Sequence, residues 1–163
     1  NAIGPGALYS NTTGNHNQAL GAYALNKNTT GCYNTGIGLY ALYNSLSGDH
    51  NFAAGQCALY SNWGGCHNTA IGCGALCKNT TGGCNTAIGQ KALCSNTTGN
   101  ENTGIGYGVL RNNTTGGKNI GIGTNVLCDN TTGQDNFAVG YNAGTAITTG
   151  TDNTADSPGR LQQ

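Results

Sequence analysis

Eight cysteines and three histidines are the residues of this 163-residue chain best suited to forming covalent bonds or binding a metal. No two cysteines have the C-x-x-C spacing that zinc sites commonly use. Cysteines at this density without that spacing are typical of disulfide-bonded proteins in an oxidising compartment. We therefore expect an extracellular or cell-surface location.

The acidic residues do not suggest an active site. Glycosidases hold two carboxylates at a fixed separation, and Glu101, Asp135 and Asp152 do lie at multiples of 17 residues from one another. Such a sparse line of carboxylates is more simply a solvated edge. Glycine-rich segments such as residues 104–106 do not open a helix, which a phosphate-binding loop requires. We expect no enzymatic activity, no cofactor and no metal.

The charge balance excludes two further classes of partner. Six basic residues offset six acidic ones, and charged residues make up only 7% of the chain. Nucleic-acid-binding domains carry a basic patch, which this composition lacks. No apolar run approaches the roughly 18 residues of a membrane span, so we expect no membrane insertion.

The spacing of 17 residues is a property of the whole chain. Its consensus is N-T-A-I-G-x-x-A-L-x-x-N-T-T-G-x-x, without insertions. The first asparagine of the consensus is Asn17, Asn34, Asn51, Asn68, Asn85, Asn102, Asn119, Asn136 and Asn153. A unit this short excludes helix-pair repeats, which need about 33 residues, and 29 glycines argue against helices.

Each repeat offers two short strands and two turns. In residues 68–84 the segments 69–71 and 75–76 are apolar, and the Asn-Thr-Thr-Gly of residues 79–82 favours a turn. Stacked coils would pair each strand with its copy 17 residues later, about 4.8 Å away, in a parallel ladder. We predict an all-β parallel β-solenoid (β-roll) of about nine to ten coils. It forms one domain over residues 1–155, and residues 156–163 form a degenerate terminal coil or tail.

Stacking assigns a structural role to the asparagines and leaves a thin core. Asparagine side chains in register can hydrogen-bond from coil to coil as a ladder. The apolar set of one coil is Ala70, Ile71, Ala75 and Leu76. So few apolar side chains bury little area against a backbone entropy cost of about 1–2 kcal/mol per residue. We therefore expect lateral association of chains, disulfides, or both to supplement the core.

The repeat places several cysteines side by side. Cys77 and Cys94 share a register on adjacent coils, and a separation of about 4.8 Å lies within the Cα window of a disulfide. Two other pairs occupy neighbouring registers on successive coils. The candidate disulfides are therefore Cys77–Cys94, Cys66–Cys84 and Cys57–Cys73, and the cysteines left free or available to another chain are Cys32 and Cys128.

A metal site is the competing interpretation of one cysteine pair. His50 and His67 share a register on adjacent coils, with Cys66 and Cys84 nearby. The spacing of these four residues matches no zinc signature, so a disulfide or an inert surface is favoured over a metal.

The second asparagine of the consensus also matches the N-x-S/T acceptor of N-glycosylation. If the source organism glycosylates secreted proteins, sugars would line one face; otherwise the motif is turn chemistry alone. The candidate sites are Asn11, Asn28, Asn79, Asn96, Asn113 and Asn130.

The repeats resemble a known group of surface proteins. Asn68-Thr69-Ala70-Ile71-Gly72 and its copy at 85–89 look like the N-S-V-A-I-G motif in head domains of YadA-type trimeric autotransporter adhesins. The longer consensus is similar to repeat tracts of phage tail fibres and bacterial surface fibres. The resemblance covers about residues 1–155. It implies a left-handed parallel β-roll, three chains side by side, and an adhesive or spacer role.

These observations favour an extracellular structural or adhesive fibre protein that associates with copies of itself, as a filament or a trimeric rod. Matched Pro-Gly pairs at Pro5 and Pro158 predict blunted ends, or else ends that meet in a filament. The alternatives are a phage tail-fibre segment that binds cell-surface glycan and an ice-binding solenoid that uses the adjacent threonines. The tyrosines are expected to pack against a neighbouring chain in preference to a sugar.

Overall fold

The computed structural model describes residues 1–157 and 160–162. Its strands are β1 (Ala2–Ile3), β2 (Gln18–Leu20), β3 (Thr35–Ile37), β4 (Phe52–Ala54), β5 (Thr69–Ile71), β6 (Thr86–Ile88), β7 (Thr103–Ile105), β8 (Ile120–Thr124), β9 (Phe137–Tyr141), β10 (Thr154–Ser157) and β11 (Arg160–Gln162). They form one sheet in sequence order, parallel from β1 to β10. No helix occurs within the two described ranges. The predicted all-β solenoid is confirmed.

The register of the sheet is the 17-residue repeat itself. β5 pairs with β6 through Thr69↔Thr86, Ala70↔Ala87 and Ile71↔Ile88. The same offset joins every neighbouring pair from β1 to β10.

The prediction of a second strand in each coil is wrong. Residues 75–76 form a turn, in which Gly74 and Leu76 have left-handed φ angles of 68° and 49°. The Leu76 N–H donates to the carbonyl of Ala92 in the next coil at 3.0 Å, whereas the Ala75 N–H bonds within its own coil. A left-handed conformation costs a leucine about 1–2 kcal/mol. Complete burial of the same side chain contributes about 1.5–3 kcal/mol and offsets that cost.

The interior differs from prediction at one position. Ala70, Ala75 and Leu76 are fully buried, as predicted, but Ile71 is 38% exposed. Successive side chains of a strand point to opposite faces, so Ile71 must face away from Ala70. The interior at the position of Ala70 is also too narrow for a side chain larger than that of alanine. A Cβ on Gly121, the residue equivalent to Ala70 three coils later, would lie 2.6 Å from Val109 Cγ1.

The sheet ends with a reversal of the chain. β10 keeps the parallel register with β9, and β11 then pairs antiparallel with β10 through Thr154↔Gln162 and Ser157↔Arg160. The chain direction therefore reverses between β10 and β11, and β11 lies along the edge of β10. Pro158, the predicted terminating residue, lies outside the described residues.

The turn glycines set the closeness of the coils, and a pair of substitutions tests this. A Cβ on Gly82 would collide with the carbonyl oxygen of Gly99 and with Asn79 Oδ1, whereas one on the adjacent Gly83 would lie 3.1 Å from the nearest atom, the carbonyl oxygen of Cys66. We predict that Gly82→Ala lowers the free energy of unfolding by about 2–3 kcal/mol. Gly83→Ala should stay within about 1 kcal/mol of the parent protein. Equal urea midpoints for the two variants would contradict close coil contact at Gly82.

Candidate interaction face

A file of buried asparagines runs the length of the rod. Asn68 Oδ1 accepts hydrogen bonds from the backbone N–H and from Nδ2 of Asn85, at 3.0 and 3.2 Å. Asn68 Nδ2 donates to Asn51 Oδ1 at 3.2 Å and to the carbonyl of Gly82 at 2.9 Å. We call the register Asn17 to Asn153 the first asparagine file. The predicted ladder is confirmed.

A second asparagine file, the register from Asn11 to Asn130, runs beside the first. Asn79 Nδ2 donates to Asn62 Oδ1 at 2.7 Å and to the Gly82 carbonyl at 2.9 Å. The Gly82 carbonyl therefore joins the two files. The second file is broken where Ser45 replaces asparagine, and both Ser45 Oγ and Asn28 Oδ1 are buried without a hydrogen-bond partner.

The candidate glycosylation sites belong to the second asparagine file, and most of their side chains are buried. Five of the six side chains are completely buried: Asn28, Asn79, Asn96, Asn113 and Asn130. The Nδ2 atom of each already donates two hydrogen bonds. A glycan on any of these nitrogens is incompatible with the closed coil. Only Asn11 is partly exposed, and its Nδ2 donates to the carbonyl of Gly14 at 2.9 Å.

All eight thiols are free, so the three candidate disulfides stay predictions. Cys77 and Cys94 lie on adjacent coils, where the Lys78 N–H donates to the Cys94 carbonyl at 3.0 Å, and the neighbouring Cys94 together with burial raises the pKa of Cys77. The pKa of Cys57 is raised by burial and by the neighbouring Cys73. Cys66 instead uses its sulfur to accept a hydrogen bond from the Asp49 N–H at 3.3 Å. Of the remaining cysteines, Cys84 is exposed, Cys32 is half-buried and Cys128 is buried.

The two histidines of the rival metal site belong to a stack of rings. His16, Tyr33, His50 and His67 lie face to face, with centroids 4.7, 4.8 and 4.9 Å apart along the file. Among the residues that the structure describes, no three His, Cys, Asp or Glu side chains are grouped to hold a metal ion.

The tyrosines and threonines predicted for partner contact are largely engaged within the chain. Tyr43 stacks on Tyr60 at 5.3 Å, and Tyr40 lies edge-on to Tyr43 at 5.4 Å. The Thr80 hydroxyl donates to the carbonyl of Thr97 in the next coil at 3.0 Å. The hydroxyl of the first threonine of each pair thus hydrogen-bonds to the next coil, which leaves fewer free hydroxyls to contact an ice surface.

On the outer side of the sheet, the described side chains of β2 to β9 make no such hydrogen bonds or ring contacts. Thr69 and Ile71 point outward on either side of the buried Ala70, and the strands from β2 to β9 repeat this alternation. We call this surface the T-x-I face; from β1 to β9 it carries no charged residue. Its members are Asn1, Gln18, Thr35, Phe52, Thr69, Thr86, Thr103, Ile120 and Phe137 in one file and Ile3, Leu20, Ile37, Ala54, Ile71, Ile88, Ile105, Ile122 and Val139 in the other. The two-residue alternation of Thr-Ala-Ile is the sequence signal that would have found it.

The first coils widen this face into a shallow groove. The groove has a volume of about 290 Å³ and is lined by Ile3, Leu20 and Ile37 of one file and by Gln18 and Thr35 of the other. The T-x-I face is therefore recessed at its first coils.

Comparison with family models, with curated proteins and with solved structures finds no match to this chain. The described residues include no helix able to cross a membrane. The resemblance to adhesin and tail-fibre repeats stays a prediction, and the function has to be argued from the surface itself.

The asparagine ladder can be tested at one position. Asn85→Ala removes the acceptor of the Asn102 N–H and Nδ2, at 2.9 and 3.2 Å, inside the core. Since each buried unpaired group costs about 1–3 kcal/mol, we predict that the free energy of unfolding falls by about 3–5 kcal/mol. The control Asn100→Ala, at an exposed position, should cost about 1 kcal/mol. A similar loss for both variants in urea titrations would show that the ladder does not stabilise the fold.

The break in the second file predicts a stabilising substitution. Ser45→Asn would supply a donor for Asn28 Oδ1 and an acceptor for Asn62 Nδ2, which now bonds only to the carbonyl of Gly65. We expect a gain of about 1–3 kcal/mol. Ser47→Thr restores the consensus two residues away at an exposed site and should change stability by less than about 0.5 kcal/mol. A melting temperature unchanged by Ser45→Asn would refute the effect.

Proposed function

We propose that this protein is an extracellular structural and adhesive fibre component that associates side by side with copies of itself through the T-x-I face. The observation that carries the proposal is a charge-free apolar face with one Ile-type side chain per coil. Ile71, Ile88 and Ile105 are each more than a third exposed, whereas large apolar side chains of a solitary protein are mostly buried.

The periodicity of the face favours another copy as its partner. Each coil presents one side chain of each file about 4.8 Å from its counterpart in the next coil. A surface that fits all of them must repeat at the same spacing, and the T-x-I face of a second chain does so. The absence of charge removes repulsion between identical surfaces.

The size of the face favours more than two chains. Nine strands at about 4.8 Å give a length of about 43 Å, and a strip about 10 Å wide offers about 430 Å² per chain. A pair would bury about 860 Å², less than the roughly 1,200–2,000 Å² of a stable complex. Three chains around a common axis bury more, which supports the trimeric rod.

Lateral contact is favoured over end-to-end growth at the β10 end. An open strand edge is where a further chain would add. At β10 this edge is paired with the chain's own antiparallel β11, so a further chain would meet an edge that lacks the parallel 17-residue register of the solenoid.

Paired charge substitutions test the proposal. We predict that sedimentation velocity finds oligomers of the parent protein and monomers of the variant Ile88→Asp/Ile105→Asp, because four carboxylates or more would be buried together in the contact. The matched control Thr98→Asp/Thr115→Asp places two charges on the same two coils at exposed positions of another face, and should assemble like the parent.

Two outcomes would contradict lateral assembly. One is a parent protein that stays monomeric at high concentration; thermal hysteresis of that monomer would then support the ice-binding alternative. The other is equal disruption by the control pair, which would place the contact elsewhere.

A further inference from the structure

Two coils of the T-x-I face depart from the Thr-x-Ile pattern in a correlated way. We name the two files of this face the Thr file and the Ile file, after the residue that predominates in each. In β4 the outward residues are Phe52 and Ala54, and in β9 they include Phe137 and Val139. Ala54 and Val139 are the only members of the Ile file smaller than leucine or isoleucine. The two largest side chains of the Thr file therefore share coils with the two smallest of the Ile file.

Such compensation of size is expected where a surface is packed. On a solvated surface a large side chain needs no small one in the same coil. In a packed contact the summed volume at each height is constrained, because overfilling and voids both cost stability. Phe52 and Phe137 are 39% and 45% exposed, so much of each ring is open to a partner.

A face made of identical coils would not fix how two chains align. Where every coil presents threonine and isoleucine, a shift by one coil, about 4.8 Å, replaces each contact by an equal one. Coils that differ from their neighbours are needed to distinguish one alignment from another. β4 and β9 differ most in the size of their outward side chains, and they lie 85 residues, or five coils of 17, apart.

Rotational symmetry determines which file meets which. When parallel chains surround an axis that runs along the rod, each chain turns its Thr file toward the Ile file of a neighbour. In register, Phe52 then meets the partner's Ala54, and Phe137 meets the partner's Val139. An antiparallel pair related by a two-fold axis would bring like files together, and Phe52 would not meet Ala54 at any shift.

We propose that the T-x-I faces of neighbouring chains pack parallel and in register, and that the contacts of Phe52 with the partner's Ala54 and of Phe137 with the partner's Val139 set this alignment. A parallel shift by one coil would press Phe52 against Ile37 or Ile71 and leave a void at Ala54. This alignment rests on the proposed lateral association and adds the direction and the register of the chains.

A substitution on this outer surface tests the register. Ala54→Ile gives β4 the isoleucine of the consensus but places it against the partner's Phe52. We predict that the variant needs at least about tenfold more protein than the parent for half-assembly in sedimentation velocity, because overpacking opposes the contact. The control Phe52→Thr/Ala54→Ile removes the ring as well and should assemble like the parent. Circular dichroism establishes that each variant is folded.

Mixing separates contact between chains from crowding within one chain. A tagged Ala54→Ile chain should enter oligomers with a twofold excess of untagged Phe52→Thr chains, whose smaller side chain leaves room for the new isoleucine. It should stay out of oligomers formed by the parent, whose Phe52 still opposes it. Equal exclusion from both, or equal entry into both, would overturn the proposal.

NMR of mixed parent oligomers identifies the contact directly. One chain carries labelled alanine and isoleucine methyl groups in a deuterated background, and the other carries protonated phenylalanine rings, of which the sequence has two. The Ala54 methyl group should show a nuclear Overhauser effect to a ring of the other chain. Ring contacts at Ile37 or Ile71 instead would indicate a shifted register and overturn the proposal. A parent protein that stays monomeric would overturn lateral association as well, whereas assembly of Ala54→Ile at the parent's concentration would overturn the register alone.

Discussion

The hydrogen bond from an asparagine amide to the asparagine of the preceding coil is the interaction on which this structure depends. Strands of three residues cannot hold a sheet together through their own ladder bonds. Two buried files of amides extend the pairing into the turns, and the carbonyl of a glycine such as Gly82 connects the files. Because each amide must meet its copy, a coil of a different length would lose the bonds to its neighbouring coils. This accounts for a repeat of 17 residues without a single insertion.

The asparagine files also determine which side chains face solvent. In each three-residue strand the alanine or glycine faces an interior that two asparagines, a second alanine or a valine, and a leucine already fill, and the residues on either side of it face the other way. The isoleucine of each repeat must therefore face outward, next to a threonine, and copying one coil many times turns one exposed residue into an apolar face. Charge is scarce for the same reason, because a charged position copied into every coil would place like charges about 4.8 Å apart.

Much of this structure could be predicted from the sequence, and the failures have physical causes. The period, the parallel register and the asparagine ladder follow from residues at fixed offsets. The second strand was wrong because leucine has no local preference for a left-handed φ, and only burial of Leu76 and a bond to the next coil impose it. Ile71 was placed in the core because hydrophobicity alone does not say which side of a three-residue strand is inside.

Hydrogen exchange of the asparagine side-chain amides, resolved by NMR, tests the central claim most directly. The Nδ2 protons of Asn85 lie in the core and bond to Asn68 Oδ1 and the Gly99 carbonyl, at 3.2 and 2.8 Å, whereas Asn100 is exposed. The ladder requires that the Asn85 protons exchange only when the coils open, orders of magnitude more slowly than those of Asn100. Exchange of both side chains at the same rate would contradict it.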